Sequence, residues 1–297
     1  MAVIVTEDEK DETKGRAPLP RIAASSYLNT APLIWSFVSG ERRDEVELLT
    51  DAAPARCADM LARGTADVAL VPVIEYQRMP EIEVVPNVCV GARGAVRSVV
   101  LVTRGAELKD VETIALDVSS RTSAALVEVV FREFLQRVPK FTHSQPDLRA
   151  MLDAHDAALI IGDPAMTFRR EGLRVYDLAN LWRELTGLGF VFAMWMTREG
   201  AAAQAARRVD FAGARDEGLR HVEEIVAQYM ETLGLPRAEL LSYLLENISF
   251  ELDKDMRAGL ELFYRLAHKH GLTEAARPLK MLGAGTTFTV SLSSSQK

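Results

Sequence analysis

The feature that most constrains this chain is an alternation of short apolar runs with helical segments, beginning at Arg21. RIAAS (21–25) reads as a strand ending in small residues, and 30–38 as a helix with Pro32 in its first turn, where proline is tolerated. VELLTD (46–51) is a second strand. PARCADMLARG (54–64) is a helix stopped by Gly64, and ADVALVPVIEY (66–76) is a buried strand running into a loop at Pro72. Strand–helix–strand–helix–strand in this order requires crossover connections and therefore a parallel sheet.

A second set follows. RSVVLVTRG (97–105) and TIALD (113–117) are strands, 119–138 is a helix with Ser and Thr at its start, and AALIIGDPAM (157–166) is a strand running into a turn at Asp163-Pro164. FVFAMWM (190–196) is another strand. Beyond it, 217–230, 237–248 and 254–271 carry apolar residues at helical spacing. Two α/β sets in one chain predict two lobes: 20–101 with 195–290, and 102–194. The runs near 97–103 and 190–196 are then the crossings, and 1–19 and 291–297 read as disordered tails. A ligand belongs in the cleft, at the carboxyl ends of the strands.

A formal net charge of -7 argues against a general nucleic-acid or anionic-membrane binder, though not against a local cationic pocket. The two cysteines, Cys57 and Cys89, sit in no C-x-x-C and read as reduced core thiols. The start of the chain has no secretory pattern, and no apolar run approaches the ~20 residues of a membrane span. A cytoplasmic location is expected.

No P-loop, Rossmann fingerprint or G-x-S-x-G elbow is present, and no histidine stands in a metal-ligand pattern, so neither cofactor nor metal is expected. What remains is a set of small polar residues at strand and helix ends. Ser25 to Thr30 follow the first strand, and their donors face the cleft; Asn29 reads equally as a helix cap. Ser119, Ser120, Arg121, Thr122 and Ser123 open the long helix, where free N–H groups, the helix dipole and hydroxyls make an anion cradle. Gly162 and Asp163 end an apolar strand; Asp163 is either an acceptor for a ligand hydroxyl or the cap of an Asp-Pro turn. Arg93, Arg97 and Arg121 are candidate counter-charges for carboxylates. Trp182, Phe190, Phe192 and Trp195 read as core rather than as a stacking platform.

The ordered set Ser26-Tyr27-Leu28-Asn29-Thr30-Ala31-Pro32-Leu33, Arg97-Ser98-Val99, Ser119–Ser123 and Ile160–Ala165 resembles the MqnA family, the chorismate dehydratases of the futalosine route to menaquinone. Tyr176-Asp177-Leu178, the segment from Trp182 to Trp195 and Asn247-Ile248-Ser249 extend the resemblance over most of 21–272. It implies a two-lobed α/β fold like type II periplasmic binding proteins, with parallel-rich sheets and C-terminal helices. It implies conversion of chorismate, a small dicarboxylate, to 3-(1-carboxyvinyloxy)benzoate. It implies Asn29 and Ser98 as catalytic positions, and Ser26, Tyr27, Thr30, Arg97, Ser119–Ser123, Gly162 and Asp163 as substrate-binding ones. Gly189 stands where the family pattern has proline, which predicts a looser loop. Two alternatives remain in view at this point. One is the related lyase of the same pathway, for which Y-L-N-T is the wrong pattern. The other is a non-catalytic binding protein for a small carboxylate.

Overall fold

The computed structural model describes residues 18–283, so the tails expected at the two ends lie largely outside the described residues. The chain begins with β1 (Arg21–Ser25), a 3-10 turn (Leu28–Thr30), α1 (Ala31–Val38), β2 (Glu47–Asp51), α2 (Pro54–Arg63), β3 (Val68–Pro72), α3 (Glu75–Arg78) and β4 (Ile82–Ala92). It then forms β5 (Val99–Thr103), β6 (Thr113–Asp117), α4 (Thr122–Val129) with a π-turn over Val130–Phe134, and β7 (Lys140–Ser144). Next come α5 (Leu148–Ala154), β8 (Ala157–Ile161), α6 (Asp163–Thr167), β9 (Arg174–Asp177) and α7 (Leu178–Thr186). The last part is β10 (Phe190–Arg198), α8 (Ala201–Ala206), α9 (Phe211–Arg220), α10 (Val222–Leu233), α11 (Arg237–Ser242) with a π-turn over Tyr243–Asn247, and α12 (Lys254–Lys269).

These strands make two five-stranded sheets, ordered β2-β1-β3-β10-β4 and β7-β6-β8-β5-β9. In the first, β1 runs parallel to β2 and β3 while β10 is antiparallel to β3 and β4. The second repeats the scheme: β6 is parallel to β7 and β8, and β5 antiparallel to β8 and β9. Sheet membership puts the two passages of the chain between sheets at 93–98 and 178–189.

The period-two rule for strands explains how the second sheet is covered on both faces. Val99 and Leu101 of β5 and Leu159 and Ile161 of β8 join the large core, whereas Val100, Val102, Ala158 and Ile160 pack on the opposite face with Met151 and Leu152. The large core runs through both lobes. Trp182, Phe190 and Phe263, all fully buried, meet edge to face there, with Trp182 and Phe190 centroids 5.4 Å apart and Phe190 and Phe263 5.1 Å apart. No helix among the described residues is long and apolar enough to cross a membrane.

Four local features depart from expectation. β4 is hidden in the sequence because Pro86-Asn87 interrupts it; Asn87 is left-handed (φ 59°), and the pairing with β10 is broken by register shifts. As the edge of its sheet, β4 tolerates proline there. β7 and β9 are short, polar edge strands without apolar alternation. The helix expected over 217–230 breaks at His221, whose ring stacks on Trp35 at 3.9 Å. Gly189 does not loosen its loop: its N–H donates to Asp255 at 2.9 Å, a bond proline cannot make. Its carbonyl lies where a Cβ on Gly259 would stand, so α12 seats closely on this loop.

Candidate functional site

A cavity lies between the two sheets, where strand ends and helix starts converge. From the first lobe come Ser25, Tyr27, Asn29 and Thr30 after β1, Pro54 at the start of α2, Leu70 and Pro72 of β3, and Phe192 of β10. Facing them are Ser119, Ser120, Thr122 and Ser123 around the start of α4, and Ile161 at the end of β8 with Gly162 just after it, with Val96 from the passage between the sheets and Val99 at the start of β5. Of the four aromatic residues read as core, Trp182, Phe190 and Trp195 are fully buried, while Phe192 belongs to the cavity wall.

The wall after β6 is built by the segment read from sequence as an anion cradle, with a shifted start. α4 begins at Thr122, so Ser119 and Ser120 belong to the turn before it. Asp117 is fully buried beneath that turn and its Oδ1 accepts the Ser119 N–H at 2.8 Å and hydroxyl at 2.6 Å. Burial pushes the Asp117 carboxyl up, against the pull of those bonds. Arg121, the residue before the first turn, makes no side-chain cap, so the N–H groups that open α4 keep their positive end toward the cavity. The Thr122 hydroxyl accepts the Ile74 N–H at 3.3 Å, which ties this turn to the other lobe.

The wall after β1 carries a carboxamide. Ser25 and Thr30 share a hydrogen bond of 2.9 Å, and the Thr30 hydroxyl lies 3.4 Å from Asn29 Oδ1. Asn29 is not the cap of α1; it sits in the 3-10 turn with its side chain on the cavity. Tyr243 is the residue that sequence reasoning missed. Its phenol is fully buried and donates to Ser98 Oγ at 2.7 Å. Burial pushes its pKa up. In the sequence it sits in an ordinary amphipathic run, where it reads as core.

Several expected ligands stand elsewhere. Arg121 bridges to Asp59 at 2.6 Å and Glu75 at 2.9 Å, so it ties α4 to the first lobe. Arg97 pairs with Glu239, and Arg93 with Asp253 at 2.6 Å. None of the three arginines lines the cavity, because each finds a long-range carboxylate that local sequence does not announce. Ser26 is exposed, with its N–H on Asp51 O and its carbonyl accepting Tyr229. Ser98 is fully buried behind the wall rather than on it; its carbonyl accepts the Gly162 N–H at 2.7 Å.

Asp163 opens α6 instead of capping an Asp-Pro turn, and its carboxylate accepts the Leu28 N–H at 3.1 Å. Burial raises its pKa to about 6, offset in part by that bond. It stands next to the cavity wall, not in it. Gly162 before it adopts φ 67°, and a Cβ there would lie 2.6 Å from the Tyr27 ring. That position needs glycine for conformation and for space.

Duplicate sheets of this order, with a cleft between them, define the class: a two-lobed binding-protein-like fold. The periplasmic aliphatic sulphonate binding protein SsuA from Escherichia coli superposes with a TM-score of 0.58 at 18% identity, covering 93% of this chain and 97% of that one. An Archaeoglobus fulgidus protein superposes at 0.71 and 18% identity, covering 85% and 97%. A chorismate dehydratase from Thermus thermophilus is 30% identical over 255 residues, 80% of this chain and 91% of that protein. Residues 20–269 match the menaquinone biosynthesis family, and the chain belongs to it.

Proposed function

We propose that this protein is a chorismate dehydratase, a hydro-lyase that removes water from chorismate to give 3-(1-carboxyvinyloxy)benzoate for menaquinone biosynthesis. The observation that carries this reading is the make-up of the cavity wall: hydroxyls and an open helix start on one side, a carboxamide on the other, and apolar residues between. A ring with two carboxylates suits such a wall. An exposed helix start contributes about 0.3–1 kcal/mol to a bound anion, up to ~2 where partly buried. Phe192, Val90, Val96 and Leu70 supply apolar surface for the ring.

The reaction takes the hydrogen from C3 and the hydroxyl from C4. The C3–H electron pair becomes the C3–C4 double bond, which completes the aromatic ring. Tyr27 is the one titratable side chain among the lining residues, and burial raises its pKa, so it is no base. The enolpyruvyl carboxylate of the substrate therefore takes the C3 proton and returns it to the departing hydroxyl, which leaves as water. Asn29, with Ser98 behind it, orients this side chain. Positioning of this kind supplies roughly 7–11 kcal/mol in well-oriented intramolecular reactions. The roles of Ser119, Ser120, Thr122, Ser123, Tyr27, Thr30 and Gly162 are to seat the ligand, and Asp163 holds the Leu28 backbone beside Asn29.

The proposed compartment is the cytoplasm; Cys57 and Cys89 are buried free thiols, as a reducing compartment permits. Incubating the purified protein with chorismate and no added cofactor tests the function. Mass spectrometry should follow loss of one water to an aromatic product. Chorismate recovered unchanged from a folded protein would refute it.

A further inference from the structure

The hydroxyls of Ser119, Ser120, Thr122 and Ser123 share one wall of the cavity but are not equivalent, because the protein has already used different parts of them. A serine or threonine hydroxyl has one hydrogen to donate and lone pairs with which to accept. Ser119 spends its hydrogen on Asp117: the hydroxyl donates to Asp117 Oδ1 at 2.6 Å, and the Ser119 N–H donates to the same oxygen at 2.8 Å. An N–H can only donate, so Oδ1 accepts, and the hydroxyl hydrogen lies on it as well. Asp117 is fully buried and its Oδ2 has no partner among the described residues. Turning the Ser119 hydrogen toward a ligand would strip this buried carboxyl of a bond it has no means to replace. The Ser119 carbonyl accepts the Ala55 N–H at 3.3 Å. What Ser119 has left to offer the cavity is acceptor capacity alone. Thr122 is the opposite case: its hydroxyl accepts the Ile74 N–H at 3.3 Å, so its hydrogen remains to give.

We propose that Ser119 is a specificity-determining residue that accepts a hydrogen bond from the C4 hydroxyl of the substrate and takes no part in holding its carboxylates. An ionised carboxylate brings only acceptors, and a group with only acceptors to offer cannot bind it. Chorismate carries two carboxylates, an ether oxygen and one hydroxyl, so the C4 hydroxyl is the donor that it brings. The dehydrated product keeps both carboxylates and the ether oxygen and has lost that hydroxyl. A cleft that read the anionic groups alone would hold product as firmly as substrate. The acceptor at Ser119 adds to the binding of substrate only and lets product go. Asp117, by taking the Ser119 hydrogen, sets this polarity.

This inference rests on the dehydratase reading, and the test separates the two. Wild-type protein is first assayed on chorismate; absence of product overturns the reading and the assignment of the C4 hydroxyl with it. With wild-type turnover in hand, Ser119→Ala should raise KM for chorismate about 5-fold to 20-fold, as for a buried hydroxyl left without its acceptor, while kcat moves less than about threefold. The inhibition constant of the purified product, added as a competitor, should move less than about twofold, since the product has no hydroxyl to lose a partner. Equal rises in the two constants would make Ser119 a carboxylate ligand and overturn the proposal, as would a KM within about twofold of wild type. If Ser119→Ala does not fold, Ser119→Cys takes its place, because a thiol keeps a hydrogen for Asp117 and is only a weak acceptor. The same split between KM and the inhibition constant is expected of it, and absence of the split overturns the proposal.

Discussion

Each lobe ends a central strand in a polar turn that opens a helix on the cavity, yet the two turns are anchored differently. After β6, the turn carries its own anchor: Asp117, buried below it, holds Ser119 by N–H and hydroxyl. After β1, the turn has no charge of its own. Its backbone is held at Leu28 by Asp163, from the segment after β8. A turn that fixes itself suits a constant task, recognition of an anion. A turn fixed from outside acquires its geometry from the assembled cleft, which suits a group that must be placed for reaction. In the proposed function, binding would fall to the α4 start and turnover to the α1 start.

The largest effect that can break this division is at Asn29. Asn29→Ala should lower kcat about 10²- to 10³-fold, as for other removed transition-state donors, with KM nearly unchanged in steady-state kinetics. A raised KM at constant kcat would move Asn29 to the binding side. Next is Gly162, which joins the two walls through its contact with Tyr27. Gly162→Ala should destabilise the fold by about 1–3 kcal/mol in denaturant titration, since both the φ of 67° and the ring at 2.6 Å oppose a Cβ. Unchanged stability would mean that Tyr27 is free to move.

On the α4 side, Ser123→Ala should raise KM about 10-fold and leave kcat alone, the size of one lost hydrogen bond to a charged group. A loss in kcat alone would erase the contrast between the turns. The smallest effect is on pH-dependent stability. Asp163 titrates near 6 in the folded protein against 3.8 in the ordinary range. The folded state therefore holds that proton more tightly, and the contribution of Asp163, full below about pH 4, is lost as pH rises through about 6. Denaturation midpoints between pH 4 and 7 should decline less in Asp163→Asn than in wild type.

Much of this molecule was legible in the sequence because its central strands are apolar runs closed by polar turns. Val99–Thr103 and Ala157–Ile161 could hardly be anything else, and the hydroxyls at 119–123 announce a helix start. β7 and β9 were not legible, because edge strands need no apolar alternation, and β4 was hidden by Pro86-Asn87. In the site, residue type pointed correctly to the cavity for Asn29 and Ser123, where short side chains sit on the turn that presents them. It failed for Arg97 and Arg121, whose long side chains reach Glu239, Asp59 and Glu75. Their partners lie 142, 62 and 46 residues away, beyond any local pattern. Tyr243 failed for the opposite reason, since a buried tyrosine in an amphipathic helix reveals nothing of where its hydroxyl ends.

The central claim is that this cleft positions its substrate and leaves the proton transfer to the substrate's own carboxylate. The turnover of Asp163→Asn on saturating chorismate tests it most directly, because asparagine keeps an acceptor for the Leu28 N–H and removes a carboxyl group that stands beside the cavity wall. The account predicts a kcat within about threefold of wild type, as for a residue outside the chemical step. Abolished turnover with substrate binding intact would make Asp163 the acid or base and contradict it.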